Sequence, residues 1–121
     1  MLTLSLITLL LISPVPDILV YKIPVTVTAY SPRICETDDS PTITASNKKV
    51  KEGYVALSRD IEKKYRLKFG DKVYLEGYGE YQFEDRMHRR KRKQVDIFMH
   101  STKEALKHGR KKSILVIRKK G

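Results

Sequence analysis

The stretch VTVTAY, Val25 to Tyr30, alternates along its length: Val25, Val27 and Ala29 share one face, and Thr26, Thr28 and Tyr30 the other. A period of two is the mark of a strand with one face on a core. Similar short pieces recur down the chain: TITA (Thr42 to Ala45), GYVALS (Gly53 to Ser58), two segments around Gly77 and Gly79 in DKVYLEGYGEYQFED, then QVDIFM, and the continuous apolar run SILVI (Ser113 to Ile117), expected to be buried on both faces. Two stretches read as short helices. SRDIEKKYRLKFG has Ser58 as N-cap and Gly70 as stop, and STKEALKHG carries a capping box from Ser101 to Glu104 and ends at Gly109. About seven short strands in a chain of 121 residues leave many edges to protect. A mainly β, closed small barrel with two short helices removes those edges.

Composition narrows the setting. The chain carries 25 Lys and Arg against 14 Asp and Glu, a net charge of +11, which favours polyanionic surroundings. Its single cysteine, Cys35, excludes an internal disulfide and any metal site built from several cysteines; in a polar loop with no partner pattern it reads as a bystander. The three histidines stand at no zinc-like spacing, so no metal or cofactor is expected. The run Leu4 to Ile12 is apolar, is broken by Pro14 and Pro16, and is too short for a standard membrane-spanning helix. Residues 1–22 therefore read as an export signal or weak membrane anchor, with membrane association through residues 2–20, and residues 23–121 as the folded domain.

Two acids are the candidates for chemistry, although carboxylates in strands are more often solvated or paired with a Lys or Arg. Period-two spacing puts Asp85 on one face with Tyr81 and Phe83, and Asp96 on one face with Gln94 and Phe98. A carboxyl held against apolar surface keeps its proton closer to neutral pH, as a general acid must. Between the two strands runs RMHRRKRK, with six Lys or Arg and one His in eight residues. A loop of that kind can gather anionic polymer, or it can be a solvated loop that only aids solubility. Nucleic acid would call for aromatic stacking residues or a reading helix as well, and the run has no aromatic other than His88.

The ordered series TAY (Thr28 to Tyr30), TDDSPTITAS, GYVALSRD, FGDKVYLEGYG, FEDRM, QVDIFM and STKEALKHG resembles the three-aspartate (3D) domain family, whose barrel is shared with membrane-bound lytic transglycosylase A. The likeness spans Val25 to Ile117. Where many members have Thr-Gly-Gly after the second aspartate, this chain has Arg86-Met87-His88. The resemblance implies a double-psi β-barrel and an exported lytic transglycosylase that needs no cofactor. That enzyme cuts the β-1,4 bond between N-acetylmuramic acid and N-acetylglucosamine in peptidoglycan, leaving 1,6-anhydro ends. It implies Asp96 as catalytic acid/base with Asp85 as its neighbour, Asp60 as the remaining aspartate, Thr44 as a hydrogen-bond partner of Asp96 or substrate, and Thr28, Tyr30, Arg86 and His88 along the sugar groove. Its partners would be glycan strands and anionic wall polymers. A non-catalytic wall-glycan binding domain and a basic nucleic-acid-binding protein are the two rival readings.

Overall fold

The computed structural model describes residues 18–31 and 43–120. Six strands run β1 (Ile18–Tyr30), β2 (Tyr54–Leu57), β3 (Lys72–Leu75), β4 (Gly79–Arg86), β5 (Gln94–Phe98) and β6 (Lys111–Lys120). Helix α1 (Arg59–Lys64) lies between β2 and β3, and α2 (Thr102–His108) between β5 and β6. The strands close into a barrel in the order β1-β5-β2-β4-β3-β6. The mainly β small barrel with two short helices is thus the fold the alternation predicted.

The barrel is two copies of one plan. Each half reads strand, strand, helix, strand: β1, β2, α1, β3, then β4, β5, α2, β6. Exchanging the halves leaves every pairing unchanged. β1 runs parallel to β5, as β4 does to β2. β1 is antiparallel to β6, as β4 is to β3. The pairs β2–β5 and β3–β6, both antiparallel, map onto themselves. This interlocked exchange of strands accords with the double-psi form, and it places both second strands, β2 and β5, side by side in the wall.

Residues pointing inward form one core, with Val27, Leu57, Leu75, Phe83, Val95, Leu115 and Ile117 wholly buried. Their removal from water supplies the main drive to fold. The β3–β4 hairpin turns through Gly77 and Gly79, whose φ angles of 82° and 114° suit glycine. Helix α2 starts as its capping box predicts, with the Ser101 hydroxyl accepting from the Glu104 N–H.

Several local expectations are corrected. Among the described residues six named strands form rather than about seven, because Ile43 to Ala45 of TITA make no strand: Ile43 forms only an isolated bridge with Lys49 before the chain turns at Ala45 and Ser46. β1 begins at Ile18 rather than Val25, since β6 is long enough to pair with it from Ile18↔Lys120 onward; residues 18–22 belong to the barrel wall. The apolar run Leu4 to Ile12, and Cys35, lie outside the described residues. α1 ends at Lys64, well before Gly70, because Arg66 turns left-handed at φ 50°. Gly70 instead serves the turn before β3, its N–H donating to the Phe83 carbonyl (2.8 Å). SILVI is not buried on both faces: Leu115 and Ile117 enter the core, while Ile114 and Val116 on the outer face are only half-covered by the described residues. Among the described residues no helix is long and apolar enough to cross a membrane.

Candidate active site on the barrel wall

Asp85 reaches its position through a bulge. β2 and β4 pair at Val55↔Phe83 and next at Ala56↔Asp85, so Glu84 is an extra residue. One inserted residue reverses the side on which the following side chains point. Asp85 therefore leaves the face it was expected to share with Phe83, which is wholly buried in the core. The inserted Glu84 is itself fully buried, held by Lys48 Nζ at 2.8 Å and by the Gln82 side-chain amide. Burial works against its ionised form, but Lys48, Gln82 and Ser46 outweigh that and hold the carboxyl below its usual range.

With the bulge in place, four residues form a row across the outer wall. Thr28 pairs with Asp96, Asp96 with Ala56, and Ala56 with Asp85. Their neighbours Val27, Val55, Val95 and Ile97 point into the core, which sets the row on the opposite face. The small Ala56 leaves room between the two carboxylates. Asp96 is largely buried, and its carboxyl is pushed up to about 6. Loss of hydration is the main cause, and the negative charge of Asp85 adds to it. The Thr28 hydroxyl, donating to Asp96 Oδ1 at 3.0 Å, and the charges of Lys91 and His108 pull the other way. Asp85 has a different setting: its Oδ1 accepts from the backbone N–H groups of Ala45 and Arg86, each at 2.9 Å. One carboxyl is desolvated and the other accepts from two backbone amides, so the two acids sit in unlike environments.

The remaining expected residues divide. Thr28 touches Asp96 directly. Tyr30, one step further along β1 on the same face, stacks edge-on against Phe98 with centroids 5.7 Å apart. Thr44 does not bond Asp96: its hydroxyl shares a hydrogen bond with Ser46 Oγ (2.8 Å) and accepts from Lys48 N–H (3.2 Å), shaping the turn that presents Ala45 N–H to Asp85. Asp60 stands outside the row, at the start of α1, where its Oδ2 accepts from Lys93 N–H (3.0 Å). Burial opposes its ionisation, yet the Ser58 hydroxyl and the Lys93 N–H keep it below the usual carboxylate range. Arg86 turns away to a forked ion pair with Glu62 (2.7 to 3.0 Å) and lies over the Phe69 ring. His88 accepts from Arg90 N–H through Nδ1 (3.2 Å) and so holds its own turn. The basic run does form the connection between β4 and β5, as expected, and brings Lys91 close enough to Asp96 to act on its proton.

Two residues escaped the sequence reading. Gln94, almost fully buried, donates from Nε2 to Thr28 Oγ1 (3.3 Å), which extends the chain of donors behind Asp96. Ser58 accepts from Gln94 N–H (3.0 Å), which explains why its hydroxyl does not cap α1. The period-two rule had put Gln94 on the face of Asp96, and that was the available signal. A groove of about 620 Å³, lined by Tyr74, Val116 and Arg118 among others, lies on β3 and β6, across the barrel from the acids. Size alone does not mark the site here; the acid row does. No protein-family model and no curated protein matches the chain.

Proposed function

We propose that this barrel is a peptidoglycan lytic transglycosylase in which Asp96 serves as the single acid/base. The observation that carries the reading is the Asp96 carboxyl: largely buried, facing outward, and titrating near 6 beside a second aspartate. A free aspartate would have given up its proton long before neutral pH. In this reading the protonated Asp96 donates to the glycosidic oxygen as the C1–O bond of the muramic acid unit breaks. The resulting carboxylate then accepts the proton of that sugar's own 6-hydroxyl as its oxygen bonds to C1. Atoms balance without water: one glycosidic bond is exchanged for another, and the proton passes from Asp96 to the leaving sugar and back from the 6-hydroxyl. No second carboxylate has to activate water, in contrast to the paired glycosidases.

Asp85 supports this in two ways. Its negative charge favours the protonated form of Asp96, and it would stabilise the positive charge that develops on the sugar ring. Thr28, backed by Gln94, keeps the Asp96 carboxyl in one orientation, and Tyr30 offers an aromatic face beside it. Such a substrate lies outside the cytoplasm, so export to the cell envelope is part of the proposal. Mass analysis of the products from purified peptidoglycan tests it. Anhydro-muramic ends support transglycosylation, reducing ends mean hydrolysis, and retention on the wall with no soluble product would make the barrel a glycan-binding module.

A further inference from the structure

A second groove, of about 580 Å³, runs beside the acid row between β1, β6 and the foot of the basic loop. That volume falls within the range of small-ligand clefts, roughly 300–1,000 Å³. Its lining includes Thr26, Arg92, Lys93, Lys112 and Ser113, and no carboxylate. None of the three cations makes an ion pair among the described residues.

The three cations come from two parts of the chain, Arg92 and Lys93 from the foot of the basic loop and Lys112 from β6. Lys112 Nζ donates to Thr26 Oγ1 (3.2 Å) across the β1–β6 pair. Arg92 Nη1 donates to the carbonyls of Arg89 (2.8 Å) and Lys91 (3.2 Å), which fixes the guanidinium on its own loop. Lys93 has a left-handed backbone, φ 45°, a conformation uncommon for a residue other than glycine or asparagine. Its N–H is tied to Asp60 and its carbonyl accepts from Thr26 N–H (2.9 Å). Three like charges around one cleft repel each other, and a bound anion relieves that repulsion.

Register sets the distance to the acids. Thr26 pairs with Gln94 and Thr28 with Asp96 on the same parallel strands. The groove therefore begins two residues from the acid pair, roughly 7 Å along the strand. A polymer lying along β1 would meet both.

We infer that the groove formed by Arg92, Lys93 and Lys112 is a subsite for a phosphate or carboxylate group carried by the glycan or by a polymer attached to it. The assignment rests on the proposed action on wall glycan and adds the class of substituent that the site takes. It also narrows the role of the basic loop to its foot, and it brings in Lys112 from a strand distant in sequence.

The test uses the full chain and two soluble probes, a polyglycerol phosphate and a polyglutamate. Two triple variants remove the same charge: Arg92→Gln, Lys93→Asn, Lys112→Gln at the groove, and Lys72→Gln, Arg118→Gln, Lys120→Gln on the far wall. Asparagine at position 93 keeps the left-handed backbone accessible. At low salt the groove variant should bind at least one probe about tenfold more weakly, while the far-wall variant stays within about twofold of wild type. The difference should vanish at high salt, because exposed charges are screened. Preference for one probe tells phosphate from carboxylate, and either supports the subsite. Equal loss in both variants would mean that net charge, not the groove, does the binding, and would overturn the inference. So would tighter binding of duplex DNA than of either probe. Should the groove triple fail to fold, Lys112→Gln alone, at a surface position, gives the same comparison against Lys120→Gln. Binding is read apart from cleavage. Groove-dependent binding without anhydro products leaves the subsite standing and removes the transglycosylase. Anhydro products with unchanged binding in the groove variant do the reverse.

Discussion

Asp85 and Asp96 face the same side of the barrel from strands that do not touch, each paired in register with Ala56 on the strand between them. Two strand spacings put their Cα atoms roughly 10 Å apart. The charge of Asp85 still acts on Asp96 across the small alanine, and burial makes that action stronger than it would be in water.

Asp96→Asn should abolish nearly all turnover while wall binding persists. Loss of a general acid–base group is worth ~10²–10⁴ in rate. Product release from purified peptidoglycan measures it, and turnover close to wild type would remove Asp96 from its role.

The same substitution should change stability in a pH-dependent way. Asp96 titrates near 3.8 in the unfolded chain and about 6 in the barrel, so the native state holds its proton more tightly. The barrel then loses stability as pH rises from about 4 to about 6, and the deficit persists above that. It amounts to at most about 3 kcal/mol. Asp96→Asn should therefore raise Tm at pH 7 and leave it unchanged at pH 4. A Tm difference that is the same at both pH values would contradict the burial of this carboxyl.

Turnover should depend on the protonated acid and fall as pH climbs through about 6. Thr28→Val removes a hydrogen bond that favours the carboxylate, so the falling limb should move to higher pH. The change also leaves the buried Gln94 amide without its acceptor, at a cost of about 1 kcal/mol. A pH–rate profile superimposable on wild type would show that the Thr28 hydroxyl does not tune the acid.

Arg86 and His88 should prove structural. Arg86→Met breaks the forked pair with Glu62 and should lower stability by about 1 kcal/mol or less. His88→Ala loosens only its own turn. Neither should alter KM for short uncharged glycans when assayed well below Tm. A large rise in KM for either variant would return that side chain to the sugar groove.

Ser101→Ala removes the hydroxyl that accepts from Glu104 N–H at the start of α2. Thermal or urea unfolding should register about 1 kcal/mol. An unchanged unfolding midpoint would mean that the cap contributes nothing in the folded barrel.

Alternation and turn residues by themselves determined most of the strands, the glycine hairpin, the capped α2 and the closed barrel, because each depends on contacts between residues close in the chain or on the need to bury one face. They also put Asp85 and Asp96 on strands and the basic run between them. They erred where a partner distant in sequence decides. TITA alternates well enough, but an isolated bridge to Lys49 gives it no strand to join. Ser58 has the chemistry of an N-cap, yet Gln94 takes its hydroxyl. The side on which Asp85 points was the main decision of the tertiary structure. Period two sends it to the face of Phe83, and the buried Glu84 bulge, held by Lys48 and Gln82, sends it to the face of Asp96. A one-residue insertion costs nothing visible in a sequence pattern, but in a pleated wall it reverses every side chain after it. The pairing of the two acids, the raised affinity of Asp96 for its proton and the joining of Lys112 to the foot of the basic loop all come from strands that meet only when the barrel closes.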